Sequence, residues 1–308
     1  MAIIWLQTTK RHNNIRIIYL SLLLPLVVFV CIFVYFLIVE SDTSFQGIFT
    51  LSYTMVLYSL PIIWLWLFIA VYFQKQIIFK YTGSNELQRK DNPEIYNIVE
   101  NLCISRGLPI PKIGIIDDGS MNAFATGWSE KNSWVVFSKW LIEKLDKNEI
   151  EAVAWHELTH IINGDVRTMV IANVFIGIIG TVGYILMRTG RSRSSNWKWG
   201  NPLPLLGLLL YLASLIFLPL INMAISRKKE FLADAGSVEL TKDRDAMISA
   251  LKKISGDSTI EEIQTRNSSV ASMFIYDPKK KSKFSAKLKG LFSTHPSLDE
   301  RIEMLQKY

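Results

Sequence analysis

Cysteine is scarce in this chain of 308 residues: there are two, Cys31 and Cys103. That excludes a disulfide framework as the source of stability and points to a reducing compartment for the soluble part. Charge is missing from four long stretches. Ile17–Val39 (23 residues), Ile48–Phe73 (26), Thr168–Met187 (20) and Pro202–Ala224 (23) contain no Asp, Glu, Lys or Arg. A bilayer core of ~30 Å needs about 20 apolar residues in a helix, so a simple soluble globule is excluded. A pure membrane bundle is excluded too, because 74–165 and 226–308 have ordinary mixed composition. No internal repeat is present.

Lys and Arg are also absent between the first two runs, where only Glu40 and Asp42 are charged. Basic residues gather elsewhere beside the runs: Lys10, Arg11 and Arg16, then Lys75, Lys80, Arg89 and Lys90, then Arg227, Lys228 and Lys229. The positive-inside rule therefore puts the N-terminus and the soluble domain in the cytoplasm and the Glu40–Gly47 loop outside. The net charge of +7 is explained by these flanks, so nucleic acid is not expected as a partner. The first run is too long for a cleaved signal, lacks an A-x-A site and reads as an anchor. The expected organisation is a cytoplasmic N-terminus (1–16), a transmembrane hairpin (17–73) and a first catalytic part (74–165). A second apolar hairpin (166–225) and a second catalytic part (226–308) follow.

Within 74–165, Asn92-Pro93-Glu94 opens a helical pattern of Ile95, Ile98, Val99 and Leu102, which Gly107 breaks. Lys112–Ile116 and Ser133–Ser138 read as strands, with Met121–Gly127 a further extended segment between them. Asn148 and Glu151 have capping-box spacing for a helix running to Asn163, with Gly164 as its stop.

That helix contains Trp155-His156-Glu157-Leu158-Thr159-His160. His156 and His160 are four apart, so they share a face one turn apart and can bind one Zn²⁺. Glu157 flanks that face, placed to take a proton from water. With four histidines in the chain, composition alone produces roughly 0.0025 such matches. A catalytic zinc wants a third protein ligand. Glu230, in Glu230-Phe231-Leu232-Ala233-Asp234, is the best-placed candidate. Asp234, one turn on, is placed to receive the free N–H of a ligating histidine.

Together with Asn163-Gly164-Asp165, Asn122–Gly127, His295-Pro296 and Arg301-Ile302, these motifs resemble the HtpX membrane metalloproteases, bacterial relatives of the CAAX prenyl proteases. The resemblance implies an α-helical membrane protein carrying an α+β, mainly helical, gluzincin-like zinc metalloprotease domain. It implies one Zn²⁺ per chain, protein substrates in or near the membrane, and endoproteolysis in membrane quality control and stress. The location implied is the bacterial inner membrane. By the same resemblance Asn122, Ala123 and Phe124 line the cleft and pair with substrate as an added strand. The alternative there is a turn with a buried Phe124. His295 either hydrogen-bonds a developing oxyanion or caps the turn before a terminal helix, and Arg301 ties that helix down. The lysines at 279–283 form a solvated loop or an attraction to anionic lipid. The rival class is a zinc-binding membrane scaffold without turnover, which an intact Glu157 argues against.

The second hairpin sets two rules in conflict. His156, His160 and Glu230 must meet at one metal, so two crossings put the loop 188–201 outside. That loop holds Arg188, Arg191, Arg193 and Lys198 and no acid, which the positive-inside rule disfavours. Early spans usually set orientation, so two complete crossings are expected, with a re-entrant hairpin as the alternative.

Overall fold

The computed structural model describes residues 2–39, 44–117, 119–189, 203–256 and 296–307. His295 and the lysines at 279–283 lie outside the described residues, as does most of the loop at 188–201. The chain divides into two compact units. Unit 1 comprises Met1–Asn14, Phe73–Met169 and Asn222–Tyr308, and unit 2 comprises Ile15–Tyr72 and Val170–Ile221.

Long helices run through both units in sequence: α1 (Ala2–Val39), α2 (Phe45–Thr82), α6 (Asp165–Thr189) and α7 (Leu203–Thr241). In unit 2, Phe175, Ile176 and Ile178 pack with Val27, Val28 and Ile63. Helices α6 and α7 cross closely because glycine faces glycine. A Cβ on Gly207 would lie 2.5 Å from Met187 N and 2.6 Å from Gly183 O. Such small-residue crossings let two helix backbones approach where apolar burial alone gives little discrimination. Large apolar side chains remain bare on α1 and α2, among them Leu22 (67% exposed), Tyr58 (73%) and Ile62 (67%). Among the described residues one segment, Phe45–Ile69, is long and apolar enough to cross a membrane, and Phe175–Arg188 is a shorter apolar helix.

Unit 1 is built on a four-stranded sheet of order β1-β2-β4-β3. The strands are β1 (Asn85–Glu86), β2 (Lys112–Ile116), β3 (Ala123–Ser129) and β4 (Asn132–Ser138). β2 and β4 run parallel, while β1 and β3 are antiparallel to their neighbours. β3 is therefore an edge strand. Helix α3 (Pro93–Arg106) is capped by Asn92, whose side chain accepts from Ile95 N–H, and ends at Gly107 in the left-handed conformation. Short α4 (Lys139–Lys144) follows β4, then α5 (Lys147–Asn163). Helices α8 (Arg244–Gly256) and α9 (Leu298–Lys307) complete the unit.

The start of α5 corrects the capping expectation. The box is Asp146–Glu149 rather than Asn148–Glu151: Asp146 accepts from Glu149 N–H at 2.9 Å and Glu149 accepts from Asp146 N–H at 2.8 Å. Both pairs have the spacing, but only this one sets apolar residues at the positions of a hydrophobic staple, Leu145 and Ile150, both buried in the main core. Glu149 also accepts from Ser249 (2.6 Å) and pairs with Lys253 (2.7 Å), tying α5 to α8. The core beneath joins Val99, Cys103, Phe137, Leu141, Trp155, Met247 and Leu251. Cys103 is a free thiol within it, and burial pushes its pKa up to about 11. It acts as a small apolar side chain.

Candidate metal centre

Helix α5 carries His156 and His160 on one face and ends at Gly164, whose φ of 67° needs no Cβ. The chain then turns directly into α6 at Asp165. Helix α7 supplies Glu230 and Asp234, one turn apart. The ligand atoms of His156, His160 and Glu230 all lie within 4.8 Å of one another. The two Nε2 atoms are 3.2 Å apart, and each is 3.6 Å from a Glu230 carboxylate oxygen. Two donors each about 2.0–2.1 Å from a tetrahedral zinc stand about 3.3 Å apart, so this donor set fits that ion.

Each imidazole is turned by a carboxylate at its other nitrogen. His156 Nδ1 is 2.9 Å from Asp234 Oδ1, and His160 Nδ1 is 3.0 Å from Asp165 Oδ2. Both carboxylates are buried and both are neutralised. Arg301 grips Asp234 with two N–H groups, at 2.7 and 2.5 Å, and its third nitrogen is 3.5 Å from Glu230. Lys229 is 2.9 Å from Asp165, which also accepts from the Asn13 amide at 2.8 Å. The same amide nitrogen donates to Asn163 O at 2.8 Å, at the end of α5.

Charge within this cluster is finely opposed. Burial alone would raise the Asp234 and Asp165 carboxyls, but Arg301 and Lys229 respectively, with the histidines, hold both below the usual range. Burial disfavours the His156 imidazolium, yet Asp234 and Glu230 outweigh it and raise the pKa to about 9. Metal and proton thus compete for the same nitrogen. Glu157 is 2% exposed. Burial lifts its carboxyl above the carboxylate range, with Glu230 adding to the rise and the two histidines and the Ala125 N–H opposing it.

The edge strand lies against this helix, since the Glu157 carboxylate accepts from Ala125 N–H. Asn122 precedes β3 and is held by its backbone, with its N–H on Ser138 Oγ at 3.0 Å and its C=O accepting from Ser138 N–H at 2.8 Å. Its side-chain amide is buried with neither polar atom hydrogen-bonded among the described residues. Ala123 belongs to the main core. Phe124 is 1% exposed, packed with Ile116, Trp134 and Val136. Its side chain is therefore core, and its backbone faces Val136 of β4, so the outward-facing backbone groups of this edge are those of Ala123 and Ala125.

Four contributors escaped sequence reasoning, the first being Asp165, which stands there only as the end of an Asn-Gly-Asp motif and not as the partner of His160. Lys229 stands beside Glu230 and reads as part of a basic membrane flank. Arg301 reads as a helix tie, whereas it also neutralises Asp234. Asn13 has no local signal, because its partner Asp165 is 152 residues away.

Comparison with known proteins follows the same lines. Residues 89–308 match the description of peptidase family M48. The chain is 40% identical to a "Protease HtpX homolog" of Bacteroides fragilis, with all of both chains covered. It is 38% identical to one of Dictyoglomus thermophilum, over 75% of this chain and 74% of that one. The crystal structure of S. mikatae Ste24p shares the fold, with a TM-score of 0.51 and 22% identity, covering 98% of this chain and 67% of that one.

Proposed function

The chain belongs to peptidase family M48, and we propose that His156, His160 and Glu230 hold one catalytic zinc ion while Glu157 serves as general base. The chain is a metalloprotease of the HtpX type. The observation that carries the site assignment is the convergence of three ligand groups within 4.8 Å, His156 and Glu230 buried and His160 partly so, with Glu157 next to the first of them.

Zinc bound there supplies Lewis acidity towards a scissile carbonyl and lowers the pKa of water to about 7. The protein's own residues do the rest. Asp234 and Asp165 fix the imidazoles with Nε2 inward, a type of support worth about 10–100-fold in metal affinity. Glu157, held by Ala125 N–H, accepts a proton from the attacking water and returns it to the leaving amine. Edge strand β3 offers unpaired backbone groups to an extended substrate. The Asn122 amide, which makes no hydrogen bond among the described residues, would be satisfied by a substrate peptide group. Protein substrates confined to the same bilayer would be favoured by effective concentration. Quality control of membrane and misfolded proteins in a bacterial inner membrane is the role this fits. A metal-binding scaffold without turnover would have no use for a buried carboxyl beside the metal.

Chelation tests this reading. The purified full chain in detergent should cleave an unfolded model protein such as casein. A zinc chelator should abolish cleavage, and added zinc should restore it. Full-rate cleavage by metal-free protein would reject the zinc mechanism.

The membrane reading goes further: four crossings, with unit 1 facing the cytoplasm. It is supported by the bare apolar side chains of α1 and α2, since soluble monomers rarely expose contiguous apolar patches beyond a few hundred Å². The long α6 and α7, crossing at Gly183 and Gly207, are read as the second spanning hairpin. A cysteine at Ser195 in a Cys31→Ser, Cys103→Ser background should then react with a membrane-impermeant thiol reagent in intact cells. Labelling only after lysis would reject four crossings in favour of a re-entrant hairpin.

A further inference from the structure

A cavity of about 290 Å³ adjoins the metal centre within unit 1. Its walls include His160, Trp128, Arg167, Lys131, Lys10 and Glu130. It follows from an irregularity in the edge strand. β3 and β4 lose register between Gly127 and Ser129, and Gly127 has a φ of 130°. A Cβ there would lie 2.3 Å from Asn132 O, so only glycine permits this close approach. The bulge bends the end of β3, and the cavity opens between that end, the last turn of α5 and the start of α6.

The walls carry three cations, Lys10, Lys131 and Arg167, and one anion, Glu130. Lys10 and Glu130 neutralise each other at 2.6 Å. Arg167 pairs with no carboxylate among the described residues. One of its terminal nitrogens donates to the Asn14 side chain, and the guanidinium lies 5.9 Å from the Trp128 ring centre. Its Nε is buried and makes no hydrogen bond among the described residues. An N–H of a cation buried without an acceptor is costly, and a carboxylate is the partner that a guanidinium binds best.

We propose that this cavity is a substrate subsite that receives an acidic side chain, with Arg167 as the residue that selects it. The proposal rests on the protease reading above and names the substrate chemistry of that same site. Two of its walls argue for a substrate chain rather than another anion: His160 is a metal ligand, and Gly127–Ser129 continue the edge strand that an extended substrate would follow. Glu157 meets β3 at Ala125. Trp128 is three residues further on, about 10 Å at strand spacing. The acidic residue therefore sits about two to four residues from the scissile bond, on one side only. A lipid phosphate is an anionic acceptor like a carboxylate, and Arg167 directly precedes an apolar run, so the experiment separates the two.

The test uses the zinc-loaded full chain in detergent and fluorogenic peptides of one sequence, with Glu or Gln placed in turn at each of four positions on either side of the cleaved bond. Wild type should prefer Glu over Gln by about tenfold in kcat/KM at one or two neighbouring positions, the worth of one charge-assisted hydrogen bond. Arg167→Gln should bring that ratio to about one, Arg167→Lys should keep part of it, and Arg167→Glu should make a Lys-bearing peptide the better substrate. The ratio compares two peptides on one enzyme, so a smaller folded fraction cancels. Equal cleavage of all peptides by wild type, or a ratio unmoved by Arg167→Gln, overturns the subsite while leaving the protease intact. A zinc-loaded wild type that cleaves no peptide or protein overturns both. Phosphatidylglycerol binding lost in Arg167→Gln, with an unchanged peptide ratio, assigns the cavity to lipid and overturns the proposal.

Discussion

Glu157→Gln should leave zinc in place and lower proteolysis by about 10²–10⁴-fold, the usual worth of a general base. The amide is nearly isosteric, and both imidazoles keep their carboxylate partners, so the ligand set is untouched. The amide cannot take a proton from water. Replacing the carboxylate also removes a buried charge near His156 and Glu230, so stability should not fall and can rise. Near-wild-type cleavage of casein by this variant would reject Glu157 as the base.

Arg301→Ala should destabilise the metal-free fold by about 3–5 kcal/mol, the cost of stranding a buried charge. The guanidinium and the Asp234 carboxylate are 3% and 2% exposed, so water cannot replace either partner cheaply. Asp234 would keep only His156 as a partner. The double variant Arg301→Ala, Asp234→Ala should be far less destabilised than the two single losses summed, because neither member of the bidentate pair is then left without the other. Unfolding of the four proteins in detergent measures this. A cost below about 1 kcal/mol for Arg301→Ala, the range of an exposed pair, would show that the bridge is not closed in solution.

Much of unit 1 was legible because its signals are local. A short apolar run marked β2, a run of β-formers marked β4, and Gly107 and Gly164 marked helix ends, since each depends on residues a few positions apart. His156, Glu157 and His160 were legible for the same reason: one helical turn joins them. Glu230 needed an argument from chemistry, that a zinc site wants a third donor. The supports beyond the ligands were largely hidden. Asn13, Asp165 and Lys229 meet only because three distant segments of chain converge, and nothing in the neighbourhood of Asn13 announces it. The capping box was misplaced by two residues because two acid-spaced pairs competed, and burial of Leu145 and Ile150 decided between them. Burial of Phe124 was one of two readings of its motif, and its partners Ile116 and Trp134, which lie on other strands, decide for it.

The central claim is that His156, His160 and Glu230 together hold the metal. Zinc content of purified wild type and Glu230→Ala, measured side by side after dialysis against a weak chelator, tests it most directly. One zinc per chain in wild type and close to none in Glu230→Ala is the result this structure predicts. Equal zinc in the two proteins would contradict it, because a cluster that keeps its metal without Glu230 does not use that carboxylate as a ligand.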